Sequence, residues 1–281
     1  MFVSNRLIYL QLCKTGCTHI EYLLKGLMSC QYHKKHSRIP PDFDIKGRAI
    51  VGSIRNPWDW YISLWGFGCD RKGALYKRLT ARKIKGNGLI GSAQNVSLQD
   101  RFRVLLAQIN KPIEMWQDVY SDSRDAERFR RWLKMLLSPE NKYQLGDGYA
   151  ISPISSYAGL LSYYYVQLFS RNYSDLFSQK VGDFKKLEEF DLENNLLTHV
   201  IRMEALEDDF LKVMKAIGYE ISNEQEQEIR ASGKTNSSFR ERSIDYYYDR
   251  ETLDLVAEKE RLVIQKYGYQ APILKQEAVL P

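Results

Sequence analysis

The sequence predicts an α/β protein: a central parallel sheet flanked by helices, with a mainly helical middle insertion. Two observations carry this expectation. Near both ends of the chain, short apolar runs with little polar alternation are followed by amphipathic helical stripes, the pattern of strands buried on both faces and joined by helices. Between them, from about 66 to 185, the apolar residues recur at helical spacing or with no clear period. At 281 residues the chain is long enough for one large domain, so 1–281 is read as a single domain with 66–185 as its helical elaboration.

Leu7–Leu12 is the first short apolar run and reads as a central strand. After a turn at Thr15-Gly16, Ile20, Leu23, Leu24, Leu27 and Met28 form one helical stripe. Residues 31–46 are polar, contain Pro40-Pro41 and include a loop. Ala49–Ile54 is a second buried strand, ending at Arg55-Asn56-Pro57, where Pro57 suits the first position of a helix. The stretch from Gly66 to about Gly91 is basic and punctuated by glycine, and reads as a mobile or irregular excursion. Helices are expected around Phe102 to Ile109 and over Phe129, Trp132, Leu133, Leu136 and Leu137, before a tyrosine-rich stretch from Tyr149 to Tyr173. A late strand is expected at Leu197–Met203, then a helix from about Ala205 to Ile217 stopped by Gly218. A last helix is expected from Asp249 to Lys266.

Composition narrows the classes. The chain is 44% hydrophobic and 27% charged, the balance of a folded protein and not of a disordered one. Lys plus Arg number 41 against 35 Asp plus Glu, a net charge of +6 spread along the chain. This leans mildly toward anionic partners and away from nucleic acid. Cys13, Cys17, Cys30 and Cys69 are too few for a secreted disulfide framework in a chain of this length. Cys13 and Cys17 have a spacing that starts some zinc sites, but no later Cys or His pair clearly completes one, so no metal is expected. Neither a leader pattern nor an apolar membrane span is present in the sequence, so no membrane partner is expected and a cytoplasmic location follows. The oligomeric state is left open.

Two segments carry chemistry. Cys13-Lys14-Thr15-Gly16-Cys17-Thr18-His19 lies between a buried strand and an amphipathic helix. A glycine turn there lets backbone N–H groups converge on an anion, with Lys14 adding charge and Thr15 and Thr18 adding hydroxyls. A plain strand–helix turn with an exposed lysine is the alternative from the residues alone. The ATPase signature is absent, because Lys14 precedes Gly16 and no upstream glycine stands in place. In the second segment, Arg55 leaves the carboxyl end of a strand, where open α/β sheets bind ligands, and Ser63 follows about two turns into the next helix. An arginine fork with a hydroxyl suits a terminal phosphate. A helix cap or salt bridge for Arg55 and a solvated Ser63 are the plainer alternative.

Taken in order, Lys14-Thr15-Gly16-Cys17-Thr18 and the run from Arg55 to Ser63 resemble the two nucleotide motifs of the sulfotransferases that use 3′-phosphoadenosine 5′-phosphosulfate (PAPS). Arg202-Met203-Glu204-Ala205-Leu206, Asn236-Ser237-Ser238, Tyr246-Tyr247-Tyr248 and Tyr267-Gly268-Tyr269 resemble later parts of that family, so that residues 7–65 and 197–269 are covered. The resemblance implies a P-loop NTPase-like sheet, PAPS as donor and adenosine 3′,5′-bisphosphate (PAP) as product, and no metal. It implies a small-molecule acceptor sulfated on oxygen or nitrogen, natural products such as the alkaloid saxitoxin among the conceivable ones. Lys14 would stabilise the leaving oxygen, the backbone of Thr15 to Thr18 with the Thr18 hydroxyl would hold the 5′-phosphate, and Arg55 and Ser63 would hold the 3′-phosphate. Lys234, Thr235 and Asn236, with Arg240 and Arg242, would close over that phosphate, unless they are a solvated charge cluster. Three positions depart from the family: Cys17 stands where many members have Gly, Ser or Thr, His19 where some place an adenine-stacking tryptophan, and Trp60 where arginine is frequent.

The acceptor needs a general base, and His36 matches a position where several carbohydrate-type relatives carry theirs. His33, three residues away, is the nearest substitute; His19 is expected to pack beside the nucleotide and His199 in the core or behind the residues of the site. Tyr157, Tyr163, Tyr164 and Tyr165 are read either as core or as lining for an acceptor pocket. Two other classes stay open: a nucleotide kinase or NTPase-like enzyme, and a non-catalytic binder of sulfated or phosphorylated ligands.

Overall fold

Two buried runs set the architecture. Leu7–Leu10 and Ala49–Ile54 lie side by side in parallel, from Leu7 opposite Ala49 to Leu10 opposite Gly52. In this computed structural model, residues 1–82, 96–232 and 242–274 are described. In chain order the strands are β1 (Phe2–Val3), β2 (Leu7–Leu10), β3 (Gln31–Tyr32), β4 (Ala49–Ile54) and β5 (His199–Arg202). The helices among the described residues are α1 (Cys17–Leu27), α2 (Pro57–Cys69), α3 (Ala74–Leu79), α4 (Leu98–Ile109), α5 (Ile113–Val119), α6 (Ala126–Leu137) and α7 (Lys142–Leu145). They continue with α8 (Leu160–Phe169), α9 (Phe184–Asn194), α10 (Leu206–Ala216), α11 (Asn223–Ala231), α12 (Ile244–Tyr247), α13 (Arg250–Lys259) and α14 (Arg261–Tyr267).

The chain divides into two compact units. The first comprises Met1–Asn56, Tyr164–Tyr173 and Asp191–Ser237; the second comprises Pro57–Tyr163, Ser174–Phe190 and Ser238–Pro281.

The first unit holds the sheet, in the order β3-β1-β2-β4-β5. The fold is therefore α/β, but the sheet is mixed where an all-parallel one was expected. β2, β4 and β5 are parallel, whereas β1 runs antiparallel to both β2 and β3. The cause is a tight turn after Val3: the Ser4 hydroxyl accepts from the backbone N–H of Arg6 at 3.2 Å and of Leu7 at 3.1 Å, folding β1 back along β2. Every residue of β2 is buried, as a strand with neighbours on both sides and cover on both faces requires. The stripe of α1 packs with β2, β4 and α10 into one apolar core that includes Ile20, Leu23, Leu24, Val51, Ile201 and Phe210.

The second unit is helical. Asp125 caps α6 by accepting from the backbone N–H of Glu127 and Arg128, and the predicted stripe Phe129, Trp132, Leu133, Leu136 and Leu137 is buried. Trp65 and Tyr247 stack edge-on against Phe129, with ring centroids 5.3 and 5.7 Å away. The segment read as irregular from Gly66 is ordered at its start: α2 continues to Cys69 and α3 follows, while residues 83–95 lie outside the described residues. The expected last helix is two helices, broken at Glu260, whose carboxylate is drawn into the core. It accepts from the backbone N–H of Leu161 at 3.2 Å and Ser162 at 2.7 Å and from the Tyr61 hydroxyl. Those two amides open α8, so a fully buried carboxylate from one helix break caps another helix. Gly159 permits this, because a Cβ there would lie 2.1 Å from the carboxylate. Among the described residues no helix is long and apolar enough to cross a membrane.

Candidate functional site

The site is built where β2, β4 and β5 end. β2 stops at Leu10, and the chain turns through Lys14, at φ 62°, and Gly16, at φ 77°, into α1. Gly16 is required twice over: its φ is in the left-handed region, and a Cβ would lie 2.5 Å from Met203 Sδ and 2.7 Å from Leu206 Cδ1. The chain beyond β5 thus presses on the loop from behind. The first backbone N–H groups of α1 have no carbonyl a turn earlier within the helix, and no side chain caps them. They are suited to an anion.

Side chains of the loop divide into two directions. Thr15 is buried; its hydroxyl lies 2.8 Å from the Leu12 carbonyl and 2.7 Å from Ser53 Oγ, which lies 2.8 Å from the Tyr9 hydroxyl. Because a carbonyl only accepts, the Thr15 proton goes to Leu12, Ser53 donates to Thr15, and Tyr9 donates to Ser53. This chain pins the loop to β2 and β4, so the Thr15 hydroxyl is a scaffold group. Ser53 and Tyr9 belong to the site's support, and the only hint of them in the sequence is a hydroxyl in each of two otherwise apolar strands. Cys17 is also buried, and burial pushes its thiol above the ordinary range, away from thiolate chemistry. Thr18 faces solvent and accepts from Lys35 Nζ at 2.9 Å.

Cations gather around this loop. The Arg55 guanidinium donates to the Lys14 carbonyl at 3.2 Å, both residues being half-buried. The adjacent Asn56 N–H donates to Glu204 Oε1, just past β5, at 2.6 Å. His36, itself at φ 60°, places Nδ1 2.6 Å from the carbonyl of Gln11, three residues before Lys14. Since the carbonyl accepts, Nδ1 carries the proton and the neutral ring keeps its lone pair on Nε2. His36 has an exposed edge, yet loss of water around its inward side lowers its pKa from 6.5, the Gln11 bond opposing and Lys35 assisting. The shift favours the neutral ring, the form a proton acceptor needs. Gln11 also donates from Nε2 to Glu21 at 2.7 Å; burial favours the neutral form of that carboxyl, but bonds from Lys25 and Gln11 outweigh it and hold its pKa low.

The loop, Arg55 and His36 are thus brought together within the first unit. His19 is buried beside α10 and α11 instead, with Nε2 3.4 Å from both Glu207 Oε1 and Ser232 Oγ and its ring stacked on Tyr22. Ser63 is a buried residue of α2 in the second unit. Lys234, Thr235, Asn236 and Arg240 lie outside the described residues. His33 is exposed and sits edge-on to Phe43, and His199 is half-exposed at the start of β5. Three of the four tyrosines weighed for a pocket use their hydroxyls internally: Tyr157 and Tyr163 donate to the carbonyls of Val181 and Asp147, and Tyr165 accepts from Asn195. Among the described residues no three His, Cys, Asp or Glu side chains are grouped to hold a metal ion. Compared with protein-family models, with curated proteins and with solved structures, the chain matches none.

Proposed function

We propose that the protein is a sulfotransferase that moves a sulfuryl group from PAPS to a hydroxyl or nitrogen of a small acceptor. One observation supports this reading above the others: a glycine turn opening α1, the Arg55 guanidinium on the Lys14 carbonyl, and His36 with Nδ1 held by the Gln11 carbonyl meet at the carboxyl ends of parallel strands. The parallel neighbours β2, β4 and β5, with the turn directly after β2, support a P-loop NTPase-like assignment of the sheet. Four free cysteines are compatible with a cytoplasmic setting.

The residues fit a phosphosulfate. Backbone N–H groups at the start of α1, which no side chain caps, and the Thr18 hydroxyl supply donors, and Lys14, Arg55 and Lys35 supply positive charge. When bound, PAPS supplies the sulfuryl group and departs as PAP. Lys14 and the turn hold the negative charge that grows on the departing side, where fixed donors act without rearrangement. On the other side, His36 Nε2 takes the acceptor's proton, and the Gln11 carbonyl keeps the ring in the required tautomer.

Titration calorimetry with chelator present tests the reading. PAP binds the wild-type chain without metal and more tightly than ATP. Arg55→Ala weakens PAP about ten- to hundredfold, the worth of a charge-assisted contact, whereas His36→Ala leaves it nearly unchanged. Equal affinity for ATP and PAP, or binding only with magnesium, overturns the assignment.

A further inference from the structure

α4 is folded inside out. Its apolar residues Leu98, Phe102, Leu105, Leu106 and Ile109, with Met115 on α5, are 39 to 86% exposed. The face turned inward carries Val104 and the polar Gln108, which accepts from buried Lys111; Lys111 also donates to the Arg78 and Ala81 carbonyls at 2.7 and 3.1 Å. The helix is thus held to its unit by a hydrogen-bonded anchor, and its main apolar stripe is left outside. Such a stripe on the surface of a folded chain marks an interaction surface.

We infer that this stripe is the docking surface for a second copy of the chain, with α4 pairing antiparallel to α4 of that copy across a two-fold axis. Three features select this occupant. Leu98, Phe102, Leu105 and Ile109 are spaced four, three and four residues apart, the alternation of a coiled-coil seam. Reversed on itself, that spacing sets Phe102 against Leu105 and Leu98 against Ile109, so one surface serves both partners, as an isologous contact requires. Beside the seam stand Gln99, Arg101, Leu106 and Gln108, so no like charges face each other in the reversed pair. The area is also adequate: the six side chains expose on the order of 600 Å² per copy, so a pair covers about 1,200 Å², at the lower edge of stable interfaces. A lipid surface suits it less, because interfacial helices carry a strongly basic polar face and α4 has Arg101 and Arg103 against Asp100.

This inference stands apart from the sulfotransferase reading, and neither fails with the other. Sedimentation equilibrium of the full chain, over a wide concentration range, tests it. The wild-type chain reaches twice its 32.9 kDa mass. Phe102→Glu and Leu105→Glu, both at exposed positions, raise the dimer dissociation constant at least about tenfold with unchanged circular dichroism. Leu192→Glu, at an isolated exposed leucine, leaves it unchanged. Mixed Phe102→Cys and Leu105→Cys chains cross-link to each other under mild oxidation in preference to like chains. A wild-type chain that stays monomeric throughout, binding of the stripe to anionic vesicles without self-association, dimers indifferent to both glutamates, or preferential like-to-like cross-linking overturns it.

Discussion

All four histidines of this chain lie in the first unit and all five tryptophans in the second, and the two units differ in how they place their charged groups. In the second unit several polar side chains are carried into an aromatic interior and paired there. Trp58 Nε1 donates to the Leu253 carbonyl at 3.1 Å, Tyr248 to that of Trp58 at 2.8 Å, and Glu260 meets two amides and a phenol. In the first unit Lys14, Arg55, Lys35 and His36 are left half-buried or exposed around a turn with two residues at positive φ. Closed polar groups hold a fold in one state, while strained backbone and gathered charge are the usual marks of a site. The difference separates residues whose loss should cost stability from residues whose loss should cost binding.

The largest effect belongs to the closed side. Glu260→Ala leaves two helix-opening amides and a buried phenol without their acceptor and should destabilise the protein by about 3–5 kcal/mol, read as a lowered urea midpoint. The wild type should also show a pH signature. Burial, the leading cause, pushes the Glu260 carboxyl from 4.5 up to about 7, its bonds to Tyr61 and to Ser162 and Leu161 only partly opposing. Between those values the folded protein holds a proton that the unfolded chain has released, so this group's contribution to stability falls as pH rises, by roughly 3 kcal/mol in all. Glu260→Gln should flatten that slope. A midpoint unmoved by either substitution would place the anchor of α8 elsewhere.

A middling effect is expected at the turn of the first unit. Gly16→Ala forces a side chain into left-handed backbone, against Met203 and Leu206, at about 2–3 kcal/mol. Met203 and Leu206 have flexible ends, so the cost stays below that of Glu260. PAP affinity should fall as well, since the same shift moves the N–H groups opening α1. A loss of stability with PAP affinity retained would make Gly16 a packing residue alone.

How far these features were legible in the sequence follows from their physics. β4 appears at its predicted limits, Ala49–Ile54, because a strand covered on both faces must be apolar throughout. β1 and β3, two residues each, are too short to show a period, so the mixed character of the sheet was invisible. Glu260 reads as an ordinary charged position on a helix; its burial depends on Tyr61 and on amides about a hundred residues away. The turn and Arg55 stand out in the sequence as residue types at strand–helix junctions, whereas His36, in the polar loop before β4, stands out only through the family resemblance. The inward turn of Thr15 was not legible, because a hydroxyl in a glycine loop serves ligand and scaffold equally well on paper.

The smallest effect tests that last distinction inside a single loop. Thr15→Ala removes the middle of the chain from Tyr9 through Ser53 to the Leu12 carbonyl, leaving buried groups short of a partner, and should cost about 1–2 kcal/mol. Thr18→Ala removes an exposed bond from Lys35 and a weak one with the Cys17 thiol, and should stay within about 0.5 kcal/mol of wild type. Binding should rank them in reverse. Thr18 stands in the first turn of α1 with its hydroxyl toward solvent, where a bound phosphate would find it, so its loss should weaken PAP about three- to tenfold, the worth of one hydrogen bond. Thr15→Ser keeps the buried hydroxyl and should recover most of the stability lost in Thr15→Ala, with PAP affinity close to wild type. Chemical denaturation and calorimetry on the three variants give the ranking. If Thr18→Ala binds PAP like wild type while Thr15→Ala does not, the loop meets its ligand from the side assigned here to the scaffold.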